Sequence, residues 1–290
     1  MSNLDTLVIV LYGAVVLLVG WTARRRHASA ADLHLGGRDL PAPAILASLV
    51  ATELSAATFI GVPQAAYVGD WSYLQLAFGA LFGKVVVAAV VIPAYYRKGV
   101  TTVYGFLGER FGSGSRRAAA LAFVGGRILA SGVRLFIAAL AFATATGSTI
   151  EFAIVVSGAV AGLYTLFGGI RSVVWTDVLQ AFVFLLGAGA LLLTLATNAP
   201  GGMTSILDWA NEFDRTRIFH LEPLFSLSAS NTFGVGLLGG FFLTLATHST
   251  DHDMVQRLLC ARSSRAGSWT LAVSALANFP LSGLFLLIGT

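Results

Sequence analysis

The chain of 290 residues is 56% hydrophobic and 11% charged, with a mean hydropathy of +0.80, which leaves too little polar surface for a water-soluble globule of this length. Its formal charge of +4 is spread over short loops between apolar stretches, so it reports orientation in a membrane and excludes a nucleic-acid groove. The single cysteine, Cys260, excludes an intrachain disulfide and a thiolate metal cluster.

Eight apolar segments follow one another, at approximately 7–21, 41–67, 73–96, 118–146, 150–167, 173–197, 232–248 and 269–288. Each is near or above the roughly 20 residues that a hydrocarbon core of about 30 Å asks of a helix, so the chain reads as an all-α integral membrane protein. The first segment is preceded by Asp5 and followed by Arg24, Arg25 and Arg26, the reverse of a cleaved leader, and is expected to be an anchor helix. Those arginines place the following loop in the cytoplasm and the N-terminus outside. Alternation then puts Arg97, Lys98, Arg110, Arg116, Arg117, Arg171, Arg257, Arg262 and Arg265 inside, with Arg215 and Arg217 outside. In the outside stretch, Met203 to Phe213 is expected to form a short amphipathic surface helix.

The second segment contains its own interruption. Glu53 lies near its centre among Thr52, Ser55, Thr58, Gly61, Pro63 and Gln64, and a carboxylate facing lipid costs about 3 kcal/mol. The segment therefore faces protein or water. Helices broken at mid-membrane expose carbonyls and half-helix ends that hold cations or polar solutes, so Glu53 marks a candidate transport site with Ser55 as its hydroxyl companion. The alternative is an internally hydrogen-bonded acid that stabilises the unwinding. Gln64 is the weaker candidate, placed to cap the outer half-helix.

Three cations fall inside apolar segments. Lys84 in the third is left to snorkel or pair internally, and no role is assigned to it. Arg127 and Arg134 in the fourth are seven residues apart, on nearly one helix face. The deeper Arg134 has a guanidinium fork suited to a substrate carboxylate, with pairing to Glu53 or Asp177 as the alternative. In the seventh segment Gly234, Gly236, Gly239 and Gly240 precede Thr244, Thr247 and His248. An interruption there, matching the one in the second segment, points to a central site; close helix packing through small residues is the alternative. His248, Asp251, His252 and Asp253 have metal-ligand chemistry, but their position where a span ends favours a solvated helix end.

Four local motifs occur in order: Gly36-Gly37-Arg38-Asp39-Leu40; Arg97-Lys98-Gly99-Val100-Thr101-Thr102 leading to Glu109-Arg110-Phe111-Gly112; Tyr164-Thr165-Leu166-Phe167-Gly168-Gly169 leading to Trp175-Thr176-Asp177-Val178-Leu179-Gln180; and Met254-Val255-Gln256-Arg257. On these the chain resembles the sodium:solute symporter family, which includes carriers of proline, sugars, pantothenate, sialic acid and monocarboxylates. The resemblance implies a LeuT-like inverted-repeat fold. Residues 1–40 would be an anchor helix and cytoplasmic loop, 41–197 a complete first five-helix repeat, 198–231 an extracellular loop, and 232–290 the first two helices of a second repeat. Family members continue through further helices.

The resemblance also implies sodium-coupled symport of a small polar organic solute, a carboxylate among the candidates, by alternating access. It calls for no enzyme chemistry and no cofactor, with Na+ as the coupling ion. Sodium would be held by backbone oxygens of Ala51 and Leu54 together with groups from a later helix. Asp177 would serve a second cation position or the inward exit route, unless it is only a helix-terminal acid complementing the macrodipole. Substrate binding or gating falls to Glu53, Ser55, Gln64, Arg134, Thr244, Thr247 and His248. Thr247 stands where sugar carriers have an aromatic gate, which disfavours a sugar. The expected setting is the inner membrane of the cell, multi-pass, with lipid, Na+ and solute as partners and no nucleic acid. A transporter-like membrane sensor or regulatory module, or an inactive fragment of a longer symporter, remain as other readings.

Overall fold

The computed structural model describes residues 3–23, 34–225 and 232–290, and for 3–4, 56–57 and 164–168 the backbone alone. Arg24, Arg25 and Arg26, on which the orientation partly rests, lie outside the described residues, as do the side chains of Tyr164 to Gly168 in the third motif. The main elements of the described chain are all helices: α1 (Asn3–Ala23), α2 (Ala42–Glu53), α3 (Ala56–Val68), α4 (Tyr73–Lys98), α5 (Val103–Thr146), α6 (Ile150–Asn198), α7 (Gly202–Glu212), α8 (Phe233–Thr250), α9 (His252–Leu259) and α10 (Ser264–Gly289). Among the described residues six helices are long and apolar enough to cross a membrane, and the bent pair of α2 and α3 makes a seventh. Ile150–Leu163 is a shorter apolar helix. All eight expected segments are thus helical, the fifth being shorter than an ordinary crossing.

Backbone exceptions divide the long helices. α6 turns at Gly169, with φ 59° and ψ −170°, a conformation that a residue with a Cβ rarely adopts; Ile150–Leu163 therefore separates from the span Gly169–Asn198. In α4, Pro93 has no N–H to return to the preceding turn, and a π turn occupies Val87–Val91 just before it. The Ala88 carbonyl in that turn accepts the Ser268 hydroxyl of α10 at 2.6 Å. The short helix α7 lies where the amphipathic surface helix is expected, one residue earlier at each end.

Packing is tightest where α4 crosses α8. A Cβ built on Gly79 would stand 2.0 Å from the Leu237 carbonyl oxygen, and one on Gly240 2.2 Å from that of Leu76. α8 itself is a continuous helix from Phe233 to Thr250, and the chain breaks only at Asp251, whose φ of −71° and ψ of 114° separate α8 from α9. This corrects the expectation that the glycines interrupt the seventh segment. They let two backbones approach within the reach of small residues, and the break lies beyond His248.

One apolar core joins Leu40, Ile45 and Leu49 to Ile92, Val174 and Leu258. A second gathers Val62, Leu74, Phe285 and Leu286. α1 is held against α6, where the Ser172 hydroxyl donates to the Gly20 carbonyl. The first two motifs meet residues adjoining the others at one end of the bundle: Arg38 stacks 5.3 Å from the Tyr96 ring centre and donates to the Val100 carbonyl, Arg171 pairs with Asp39, and Leu40 bridges to Ala261.

Candidate functional site

The second segment bends by 56° between α2 and α3. Leu54 (φ −80°, ψ 118°) and Ser55 (φ −131°, ψ 172°) are extended; the Leu54 amide still closes on the Val50 carbonyl at 2.8 Å, and there the ladder of α2 stops. The last carbonyls of a helix have no intrahelical amide to meet, so the break presents oxygen ligands without a full charge. Ala51, Leu54 and Ser55 line a cavity of about 660 Å³ together with Gln180 of α6 and Ala138 and Ala141 of α5. Its lining also includes Phe59, which packs edge-on with Phe184 and Phe285 at centroid distances of 5.0 and 5.5 Å. A mostly apolar chamber with a few polar groups suits a small organic solute.

Glu53 does not line that cavity. Its carboxylate enters a buried network in which Lys84 Nζ of α4 donates to both oxygens at 2.7 and 2.8 Å, and Asn278 Nδ2 of α10 donates at 2.8 Å. The His248 ring of α8 lies 3.1 Å from Oε1, its other nitrogen meeting the Thr247 hydroxyl at 3.0 Å. Lys84 also donates to Ser274 at 3.2 Å. The Thr58 hydroxyl, across the break, donates to the Glu53 carbonyl at 3.3 Å. An ammonium left alone at that depth would be costly; paired, it ties the break to three other helices.

A second buried ion pair lies farther along α2. Asp177, on the span Gly169–Asn198, accepts from the Ser48 hydroxyl at 2.5 Å and from Arg257 Nη2 at 3.0 Å. Arg257 also donates through Nε to Ser48 at 2.9 Å and through Nη1 to the Asp253 carbonyl at 2.6 Å. Asp177 is therefore in a specific pair inside its helix, with α2 and α9 contributing the partners. At the joint between α8 and α9, Arg127 pairs with Asp251 at 3.2 Å and with Asp253, while Asp251 caps α9 by accepting from the Asp253 amide.

The expected site residues thus separate into groups. Ala51, Leu54 and Ser55 share the cavity at the break. Glu53 and His248 share the buried network, which Thr247 touches through His248. Thr244 is buried one turn before His248, in the place where Gly83 makes room for it. Gln64 and Arg134 are exposed on α3 and α5. The partners considered for Arg134 are held by other cations, Glu53 by Lys84 and Asp177 by Arg257. Of the two readings left for Lys84 the structure shows the internal pairing, and Arg257, expected among the loop cations, is instead buried against Asp177; Ser48, Ser274 and Asn278 were not anticipated. The signal for Lys84 was its position, a cation in mid-span; for Asn278 it was a carboxamide inside an apolar run.

Comparison with known proteins gives one consistent family. The family model for the sodium:solute symporter family matches residues 33–286. The sodium/iodide cotransporter of Homo sapiens is 30% identical over 268 residues, covering 92% of this chain and 40% of that protein. Sodium-coupled monocarboxylate transporter 2 of Homo sapiens is 29% identical, covering 91% and 41%, and the sodium-dependent multivitamin transporter of Oryctolagus cuniculus is 30% identical, covering 89% and 40%. The chain spans about two-fifths of the length of these relatives. A solved structure of a Na+-coupled sialic acid symporter, substrate-bound and outward-open, superposes with a TM-score of 0.92 at 27% identity, covering 99% of this chain and 61% of that one. The all-helical bundle thus has a LeuT-like fold, its relatives are multi-pass membrane carriers rather than enzymes, and the chain belongs to the sodium:solute symporter family.

Proposed function

We propose that this chain carries the sodium-coupled part of a secondary active symporter that moves a small polar organic solute by alternating access. The observation that carries this reading is the broken second span, whose residues Ala51, Leu54 and Ser55 line a chamber large enough for a small solute. Sodium needs several hard oxygen ligands and not a full charge at each, and Ala51 and Leu54 offer them. Asp177 serves a second cation position or the exit route, with Arg257 as its counter-ion. Residues 41–197 act as one five-helix repeat and 232–290 as the opening helices of the next, after the anchor and loop of 1–40 and separated by the outer loop 198–231. The protein sits in the cell's inner membrane with its N-terminus outside. Coupling arises because sodium at the break organises the adjacent chamber, so each ligand raises the affinity of the other.

A carboxylate is the favoured solute class. Arg134 lies one helical turn from Ala138, which lines the chamber, and so shares its face. The test is uptake into proteoliposomes carrying the protein from the full coding sequence, under an inward Na+ gradient or an equal K+ gradient. Uptake of short organic acids is expected with Na+ alone, and Arg134→Lys should weaken apparent acid affinity by roughly 1 to 3 kcal/mol while leaving sodium binding without solute little changed. Equal uptake in both gradients would overturn sodium coupling; unaltered acid affinity in the Lys variant would remove Arg134 from the solute site.

A further inference from the structure

Resting on that symport reading, we propose that Lys84 is a positioning residue for the sodium site, and that its pairing with Glu53 takes the Glu53 carboxylate out of the set of cation ligands. The geometry leaves that carboxylate no spare capacity. A carboxylate offers about four acceptor positions, and Glu53 fills them with two contacts from Lys84, one from His248 and one from Asn278. Lys84, only 1% exposed, spends its three donors on the two Glu53 oxygens and Ser274. A cation approaching Glu53 would first have to displace an ammonium held on every side.

The same pair is placed to act at a distance of one or two residues along the backbone. Glu53 is the last residue of α2, between Ala51 and Leu54, whose side of the chain borders the chamber while the Glu53 side chain is turned into the bundle. Lys84 and its neighbours anchor that last turn to α4, α8 and α10 at once. Fixing Glu53 fixes the direction of the carbonyls on either side of it. The glycines that seat α8 on α4 and the Ser268 bond to the π turn hold the lysine's own helix in register, so the clamp has a rigid base.

The test uses the protein from the full coding sequence, purified, with Na+ binding and melting temperature measured on Lys84→Met, Glu53→Gln and the double variant. Each single change strands a buried group, and Lys84→Met is expected to lower Na+ affinity about tenfold in the folded protein. The double variant replaces the pair with a neutral amide and an apolar stem of similar length, an exchange that buried ion pairs often tolerate. It has lost the clamp as well, so while its melting temperature is expected to recover toward that of the parent, its Na+ affinity should stay about as low as that of Lys84→Met. Na+ affinity in Lys84→Met equal to or above that of the parent would show that the freed carboxylate serves as a ligand and would overturn the proposal, as would a double variant that binds Na+ like the parent. A parent that binds no Na+ would sink the symport reading instead, and the clamp would then be judged by melting temperature: both singles low with the double recovered supports it, and a double as low as the worse single overturns it.

Discussion

At the scale of single residues, the molecule solves one problem twice, since each acid buried along α2 or against it is matched by one cation and a hydroxyl. Glu53 has Lys84 and, through it, Ser274; Asp177 has Arg257 and Ser48. Removing one member of such a pair is costlier than removing both, because the survivor keeps its desolvation penalty without its partner. Arg257→Met should therefore destabilise the protein by about 3 to 5 kcal/mol, visible as a lower melting temperature in detergent, whereas Asp177→Asn combined with Arg257→Met should recover most of the loss. Equal melting in the single and double variants would mean that the pair is not coupled. Glu53 was legible in the sequence because an acid in an apolar run has few neutral explanations. Its partners were not: Lys84, His248 and Asn278 are 31, 195 and 225 residues away, and periodicity along one helix says nothing about which distant helix meets it.

At the scale of elements, the broken second span was readable and the break in the seventh was misplaced, for a physical reason. Polar atoms and an acid clustered at 52–58 have no use in a continuous lipid-facing helix, so they predict unwinding. Glycine is ambiguous, since it permits a break and also permits contact between backbones. Here contact wins, and it is uneven along α8: a Cβ on Gly240 would meet the Leu76 carbonyl oxygen at 2.2 Å, whereas one on Gly239 would find Leu76 Cδ2 at 3.8 Å, an ordinary contact. The two neighbours make a controlled pair. Gly240→Ala should cost about 1 to 3 kcal/mol as helix α8 is pushed off α4, while Gly239→Ala should be neutral or slightly stabilising through its better helix propensity. Melting curves of the two variants in the same detergent measure the difference, and equal values would show that α4 and α8 are free to shift apart.

At the scale of the whole molecule, much of what carried the family resemblance gathers with its neighbours at one end of the bundle, around Arg38, Tyr96, Arg171 and Ala261, and of the described motif residues only Gln180 lines the chamber. The motifs made the fold legible while saying little about the solute, because most of them join the ends of helices to one another. The same end carries most of the loop cations and so bears on the proposed orientation. Cys260 makes that orientation measurable. It is the single cysteine and fully buried, and burial pushes its thiol up to about 12, far from the thiolate that alkylating reagents need. Introduced cysteines should thus be labelled against a silent background. In intact cells, Glu212→Cys on the exposed end of α7 should react with a membrane-impermeant maleimide, and Ser263→Cys, exposed just before α10, should react only after the membrane is permeabilised. The reverse pattern would invert the chain in the membrane and, with it, the side from which sodium enters the break at Glu53.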